Sequence, residues 1–269
     1  MKSLKYWLLV LGILSCFGCS SSIHEDNRGC SFICDSIQYR IEFMSAGCVR
    51  ILSYPEGDTL VTKRLVVDVE KPTFTDYKWE ETEQAFVFCT HELLVSFDKS
   101  DEAFTFREAS TGKLLLKEKD RRKARSFKRS EVGGEQCLEV TQRFIPTDEE
   151  AIYGLGQYQN GIMNYRGKSV LLLQANMDIV NPFLISTNGY GILWDNYSST
   201  KFEDTSEGYS FISEVGDASD YYFVYGKNMD EVVAGYRELT GDVPMFGKWV
   251  YGFWQSKERY KSFDELKAS

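Results

Sequence analysis

Residues 182–194 read PFLISTNGYGILW and carry the clearest structural signal in the chain. Two β-rich segments, 182–186 and 190–194, flank the pair Asn188 and Gly189. Asn and Gly both tolerate the positive φ angles that a type I′ turn requires. The stretch therefore predicts an antiparallel hairpin with Asn188 and Gly189 at its turn.

Short β-rich runs recur on both sides of this hairpin, from about Ser36 to Tyr225. Gly, Asp, Asn and Ser separate the runs, and no sustained helical periodicity competes with them. Spacing of this kind predicts a mainly β protein built as an antiparallel sandwich. The clearest further strands are predicted at Ile37–Phe43, Leu65–Val69, Ala85–Phe88, Leu93–Phe97, Phe104–Phe106 and Tyr221–Tyr225.

A helix is predicted after the last of these strands. Asn228 is a good N-cap, and Glu231 stands three residues later, as in a capping box. Apolar residues then fall on one helical face until Gly241, which ends the pattern. We expect a connecting helix of about three turns.

The C-terminal segment predicts the beginning of a second kind of domain. Residues 248–254 form a nearly continuous apolar run, typical of a strand buried on both faces. Ser262 with Glu265 forms another capping box and predicts a helix from Phe263. Because such a βα unit is buried only by further repeats, we expect it to be truncated and not to fold natively alone.

The first residues predict export. Lys2 and Lys5 precede an apolar run, Tyr6 to Phe17, which is shorter than the roughly 20 residues of a membrane span and typical of a signal peptide. Cys19 follows a small residue and precedes a serine tract, as in bacterial lipoproteins, although Cys16 stands where leucine is usual. We expect a signal peptide over 1–19, lipidation of Cys19, and a tether over 20–35 that holds a periplasmic or cell-surface protein to the membrane.

Composition excludes several classes of function. The net charge of −9 argues against nucleic acid as a partner, because phosphate binding needs a basic surface. Cys30 and Cys34 are spaced like half of a metal site, but His24 and His91 are the only histidines. A disulfide or buried thiols is the better interpretation, and we expect neither a metal nor a cofactor.

Residues 117–129 hold eight basic side chains interspersed with Glu118 and Asp120. A polyanion site is one interpretation and a solvated hairpin the other; few aromatics and an acidic chain favour the hairpin. Gly154-Leu155-Gly156-Gln157 is not a dinucleotide loop, because Gln159 replaces the third glycine, and a turn is expected there.

Several ordered motifs closely resemble glycoside hydrolase family 31, the α-glucosidase and α-xylosidase family. The first group is similar to its N-terminal β-sandwich, and the last motif is similar to the first strand and loop of its catalytic (β/α)8 barrel. The motifs are EEAIYGLGQYQNG at 149–161, LQANMD at 173–178, PFLISTNGYGILWDN at 182–196 and WVYGFWQSKERY at 249–260. The resemblance implies a galactose-mutarotase-like sandwich over 36–226, a connecting helix and linker over 227–244, and the truncated start of the barrel over 245–269.

The resemblance also implies chemistry. Family members are retaining α-glycosidases in which one aspartate attacks the anomeric carbon and another acts as acid and base. Both aspartates come from later barrel strands, so no catalytic residue is expected in this chain, and alone it should be inactive. The substrate implied is an α-linked oligosaccharide of the xyloglucan or α-glucan type, with α-xyloside favoured. Two alternatives stay open: a non-catalytic carbohydrate-binding lipoprotein, and the product of an interrupted gene.

Four residues are candidates for sugar contacts. Many family members present an acidic residue from a sandwich loop in a Trp-Asn-x-Asp motif, which corresponds to residues 173–176 here. Asn176 then replaces the aspartate and keeps its hydrogen-bonding capacity, and Asp178 is an alternative for the same role. Trp254 and Gln255 end the predicted barrel strand, where barrel active sites are built. A structural loop role for Asn176 and Asp178, and barrel packing for Trp254, are the competing interpretations.

Overall fold

The computed structural model describes residues 23–58, 65–67, 74–255 and 257–268. In these residues two antiparallel sheets form a β-sandwich, which confirms the predicted fold class. The predicted signal peptide and Cys19 lie outside the described residues.

In chain order the described strands are β1 (His24–Asp26), β2 (Gly29–Cys34), β3 (Ile37–Ser45), β4 (Cys48–Pro55), β5 (Lys78–Glu81), β6 (Ala85–Cys89), β7 (Leu93–Asp98), β8 (Ala103–Glu108), β9 (Leu114–Glu118), β10 (Arg125–Val132), β11 (Glu135–Ile145), β12 (Ile152–Gln157), β13 (Ser169–Leu172), β14 (Ile179–Ser186), β15 (Tyr190–Trp194), β16 (Thr200–Thr205), β17 (Gly208–Gly216) and β18 (Ser219–Tyr225). The helices are α1 (Met229–Thr240), a 3-10 helix (Lys248–Tyr251) and α2 (Phe263–Ala268).

The eight-stranded sheet has the order β1-β2-β3-β4-β18-β15-β14-β12. The ten-stranded sheet has the order β13-β16-β17-β11-β9-β8-β7-β6-β5, with β10 paired to β11. Alternating side chains of both sheets meet in an aromatic core, as expected for a sandwich. Phe106 and Phe223, one from each sheet, stack there with ring centroids 4.2 Å apart.

The hairpin over 182–194 is present, but its turn differs from the predicted one. Ser186 pairs with Tyr190, so the loop has three residues, 187–189, and only Gly189 has a positive φ, of 91°. The type I′ prediction is wrong because that turn needs a two-residue loop with positive φ at both positions, and Asn188 has no positive φ here. The Asn188 side chain makes a long-range contact. Its amide Nδ2 donates to the carbonyl of Leu115 at 2.7 Å, which ties the hairpin to the other sheet.

The predicted tether over 20–35 is wrong for residues 24–34, which form β1 and β2. Cys30 and Cys34 are buried in the core and form no disulfide with each other, so of the two interpretations buried thiols is correct. The carboxylate of Glu25 accepts hydrogen bonds from the Tyr77 hydroxyl at 3.1 Å and the Trp79 indole at 3.0 Å. These contacts with a distant part of the chain stabilise a strand too polar to predict.

Two predicted strands are not formed by the residues that the structure describes. Residues 65–67 form a bend, and the rest of the run Leu65–Val69 lies outside the described residues. Residues 248–251 form the 3-10 helix, and its side chains are largely exposed. A strand needs a hydrogen-bonded partner, and the described chain offers none to residues 248–254.

Both helix predictions are confirmed. The side chain of Asn228 accepts from the amide of Glu231 at 2.9 Å, and Gly241 follows the last turn of α1. Val232 and Leu239 pack on the outer face of the eight-stranded sheet. Ser262 caps α2 as predicted, with 3.2 Å between its hydroxyl and the amide of Glu265.

The basic run 117–129 is not a hairpin. Strands β9 and β10 both pair with β11 and not with each other. They pair with successive parts of β11, residues 135–142 for β10 and residues 144–145 for β9. Arg125 of this run is turned inward, to an ion pair with the fully buried Glu118. The Gly154–Gln157 segment, expected as a turn, is part of β12.

Candidate functional site

The loop 173–178 leaves β13 in one sheet and enters β14 in the other, so it crosses an end of the sandwich. Ala175 and Asp178 form an isolated antiparallel bridge, with 3.3 Å between the amide of Asp178 and the carbonyl of Ala175. Asn176 and Met177 form the corner between them. Met177 has a φ of 71°, an unfavourable conformation for a residue with a side chain.

Gln174 holds this corner closed. Its Nε2 donates to the carbonyl of Asp178 at 2.8 Å, and its Oε1 accepts from the amide of Val180 at 3.1 Å. One amide side chain therefore bridges to the far side of the turn with both of its polar atoms. The motif at 173–178 does not single out Gln174 in the sequence, so this brace is visible only in the structure.

The two predicted sugar-contact residues lie together on this corner. Asn176 is exposed and Asp178 is half-buried, and within the described residues neither side chain makes a hydrogen bond.

Burial, with the nearby charges of Tyr165 and Asp178, raises the pKa of Tyr158 to about 12. Tyr158 is thus a neutral hydroxyl, which donates to the carbonyl of Leu155 at 2.9 Å.

Apolar side chains surround the polar corner. Leu171, Leu173, Met177 and Ile179 are all exposed, Met177 to 65%. A group of exposed apolar residues around a few free polar groups is typical of a surface that contacts a ligand or another domain. We call these four residues the apolar rim.

A bulge in β12 supports the base of the loop. Gly154, Leu155 and Gly156 all have positive φ angles, and the pairing with β14 shifts register between the two glycines. A Cβ on Gly156 would lie 2.0 Å from the carbonyl oxygen of Ile179, the first residue after the loop. Only glycine allows β12 to approach β14 so closely.

Trp254 and Gln255 lie on a separate segment. The indole of Trp254 donates to the carbonyl of Val250 at 2.6 Å, and Gln255 donates to the Tyr260 hydroxyl at 2.6 Å. These bonds are internal to the segment 245–268. Among the described residues, no hydrogen bond joins Trp254 or Gln255 to Asn176 or Asp178.

The described residues contain no group of three or more side chains arranged to hold a metal ion. Among them, too, no helix has the length and apolar character needed to cross a membrane.

Comparison with known proteins assigns the fold and the loop to a family. The family model for the glycosyl hydrolase 31 N-terminal galactose mutarotase-like domain matches residues 38–203. The chain belongs to glycoside hydrolase family 31, as the resemblance predicted.

The chain is 37% identical over 246 residues to an α-xylosidase of Saccharolobus solfataricus, a match that covers 86% of this chain and 32% of that protein. It is 28% identical to α-glucosidase 2 of Bacillus thermoamyloliquefaciens, covering 88% of this chain and 30% of the relative. The chain thus spans about a third of the length of these relatives.

The fold is also shared with solved structures. An α-xylosidase from a soil metagenome, complexed with xylose, superimposes with a TM-score of 0.78 at 24% identity, covering 92% of this chain and 39% of that one. An α-xylosidase of Xanthomonas citri gives a TM-score of 0.75 at 23% identity, covering 91% and 43%.

Proposed function

We propose that this chain is the N-terminal part of an exported retaining α-glycosidase that removes α-xylosyl units from oligosaccharides of the xyloglucan type. The observation that carries the proposal is the 37% identity to an α-xylosidase along 86% of the chain. An α-glucosidase acting on α-glucans is the alternative within the same class, favoured by the match to α-glucosidase 2.

In this proposal the loop 173–178 forms part of the rim of the sugar pocket. The Asn176 amide donates to one sugar hydroxyl and accepts from another, whereas the Asp178 carboxylate accepts only. Both side chains are free of partners within the described residues, so sugar hydroxyls replace water at no cost in protein hydrogen bonds. Gln174 keeps the corner in shape, and the apolar rim packs against the catalytic domain.

In this proposal the catalytic groups belong to the barrel domain of a full-length family 31 enzyme. A family 31 enzyme uses two carboxylates about 5 Å apart, both expected from later barrel strands. Trp254 and Gln255 contribute to the pocket when the strand predicted at 248–254 gains its barrel partners. Purified residues 20–269 should therefore not hydrolyse p-nitrophenyl α-xyloside or α-glucoside above a buffer control.

The loop is tested in an enzyme of full family length that begins with this chain. Asn176→Ala and Asp178→Asn should each lower kcat/KM for a xyloglucan oligosaccharide by about tenfold, the loss expected for one hydrogen bond to a hydroxyl in a desolvated pocket. Asp217→Asn is the matched control, because Asp217 is an exposed turn residue after β17. Unchanged kcat/KM in both loop variants would show that the loop does not contact the sugar.

Export and lipidation are tested independently. Cells that express the chain and are labelled with radioactive palmitate should incorporate label, and Cys19→Ser should abolish the incorporation.

Calorimetry of the unlabelled chain with xyloglucan and malto-oligosaccharides tests the alternative that the chain is a carbohydrate-binding protein without catalytic activity. Clear binding by the chain alone would favour a non-catalytic carbohydrate-binding lipoprotein.

A further inference from the structure

A cavity of about 620 Å³ opens at an end of the ten-stranded sheet, away from the loop 173–178. Its walls come from the segment after β9, the segment after β11, Arg166 and the turn between β16 and β17. The first two segments contribute residues 119–121, Lys123, Ile145, Pro146 and Asp148. Strand β16 runs from the loop 173–178 to the cavity. Its first residue, Thr200, pairs with Leu172 just before the loop, and its last residue, Thr205, lines the cavity. Five strand residues at about 3.3 Å each put them about 17 Å apart.

Charges of both signs line the cavity, with the carboxylates of Asp120, Asp148 and Glu207 among them. Four basic side chains line it; Lys119 is paired with Glu207 at 3.3 Å, and Arg166 is paired with Asp204 at 2.9 Å. The other two, Arg121 and Lys123, have no carboxylate within ion-pair distance among the described residues. Arg121 and Lys123 are both exposed and stand two residues apart in the chain, on the same wall of the cavity.

The turn that carries these cations is rigidly held. Arg121 and Arg122 have φ angles of 57° and 59°, a left-handed conformation that costs roughly 1–2 kcal/mol for each residue. Asp101 compensates: its Oδ1 accepts from the amide of Arg121 at 3.1 Å, and its carbonyl accepts from the amide of Arg122 at 2.8 Å. The Arg122 side chain is bound away from the cavity by Asp35 and Glu102. Strain of this kind, fixed by surrounding contacts, is concentrated at functional sites.

The remaining walls suit a polyhydroxylated molecule. Asp148 lines the cavity and makes no side-chain hydrogen bond within the described residues, and Ser206 adds a hydroxyl. Ile145 and Pro146 supply apolar surface for the C–H face of a sugar ring. A carboxylate in the wall disfavours a dianion such as phosphate, but it accepts hydrogen bonds from sugar hydroxyls.

We propose that this cavity binds a carboxylated sugar, a uronic acid unit of an acidic polysaccharide. The sugar carboxylate lies against Arg121 and Lys123, where the planar guanidinium matches both of its oxygens. The ring hydroxyls donate to Asp148, and the ring itself covers Pro146. The site thus gives the sandwich a polysaccharide contact of its own.

The proposal is tested by calorimetry of the full chain with oligogalacturonate and with the neutral galacto-oligosaccharide of equal length. Oligogalacturonate should bind, the neutral oligosaccharide should bind at least about tenfold more weakly, and the double variant Arg121→Gln/Lys123→Gln should lose about tenfold in affinity. The matched control is Lys128→Gln/Arg129→Gln, which removes the same two charge types from exposed positions of β10 outside the cavity. It should bind like the wild type.

Several results would refute the proposed uronic acid site. Equal weakening in the control variant would mean general electrostatic attraction, and equal binding of the neutral oligosaccharide would mean that the carboxylate is not recognised. Inorganic phosphate binding as tightly as oligogalacturonate would indicate a simple anion site, and no binding at all would refute the proposal outright. Unfolding midpoints of both double variants, measured in urea, must match the wild type. No outcome depends on glycosidase activity, so the proposed enzyme function is tested separately.

Discussion

Arg125→Met is expected to destabilise the sandwich more than any surface substitution, because it breaks a charge pair inside the core. The carboxylate of Glu118 is fully buried and ion-paired with Arg125. It also accepts from the Phe104 amide at 2.7 Å, the Gln142 side chain at 2.8 Å and the Tyr221 hydroxyl at 2.8 Å. Burial opposes the charge of Arg125, but the adjacent Glu118 outweighs it and the pKa of Arg125 is raised.

The loss of stability in Arg125→Met is set by the buried charge of Glu118, which the substitution leaves without its partner. Removal of one partner of a buried pair leaves an uncompensated charge and costs about 3–5 kcal/mol. Three donors still solvate Glu118 after the substitution, so we expect a loss near the lower figure, about 3 kcal/mol. That is a large part of the roughly 5–15 kcal/mol by which a domain is stable. The double variant Glu118→Gln/Arg125→Met removes the stranded charge and should recover about 2 kcal/mol of this loss.

The assay is equilibrium unfolding of the full chain in urea, followed by tryptophan fluorescence. With a slope of about 1–3 kcal/mol per molar urea, the single variant should lower the midpoint by at least about 1 M. Lys128→Gln is the control. The Lys128 ammonium, on the exposed strand β10, lies 3.9 Å from the carboxylate of Glu139, and an exposed pair of this kind contributes little. The urea midpoint of this variant should not move. A loss under about 1 kcal/mol in Arg125→Met, or a double variant no more stable than the single one, would refute the reasoning.

Three further predictions concern the loop, the sheet edge and pH. Gln174→Ala should speed amide exchange at Val180 about fivefold, for roughly 1 kcal/mol of lost hydrogen bonding, without a change in global stability; unchanged exchange would show that Gln174 is not a brace. Gly156→Ala should lower the free energy of unfolding by about 3 kcal/mol, because its Cβ meets a carbonyl oxygen at 2.0 Å; a wild-type urea midpoint would contradict this. Burial and the neighbouring Asp220 raise the pKa of Asp195 from 3.8 to about 6, so the folded protein holds this proton more tightly than the unfolded chain. Its contribution to stability is present at about pH 4 and is lost as the pH rises through about 6, with an upper bound of roughly 3 kcal/mol. The stability of the wild type relative to Asp195→Asn, from urea unfolding at several pH values, should fall over that range, and a constant difference would contradict the assignment.

Much of the fold was predictable from short-range pattern. Alternation in Ile37–Phe43 predicted β3, and the two capping boxes predicted where α1 and α2 begin. These signals are local. Strand alternation depends on which face of a few successive residues is exposed, and a cap depends on one unpaired backbone amide a few residues away. The family motifs placed Asn176 and Asp178 on one loop, and the structure brings both to the same corner.

Other features depended on residues far apart in the chain. The strand predicted at 248–254 needs a partner strand, and the described chain does not offer one. The polar segment β1 is held as a strand by contacts with distant residues, among them the hydrogen bonds from Tyr77 and Trp79 to Glu25 and from Arg40 to Asp26. No local pattern reports such a contact.

The amino-acid sequence by itself determined that this is an antiparallel sandwich of glycoside hydrolase family 31, because periodicity, caps and motifs each depend on neighbours within a few residues. Only the tertiary structure decided which polar groups are available to a ligand. It buried Arg125 of the basic run against Glu118 and left Arg121 and Lys123 free at a cavity. The physical reason is that the cost of a charge depends on its burial and its partners, and both are set by strands that meet only when the two sheets close.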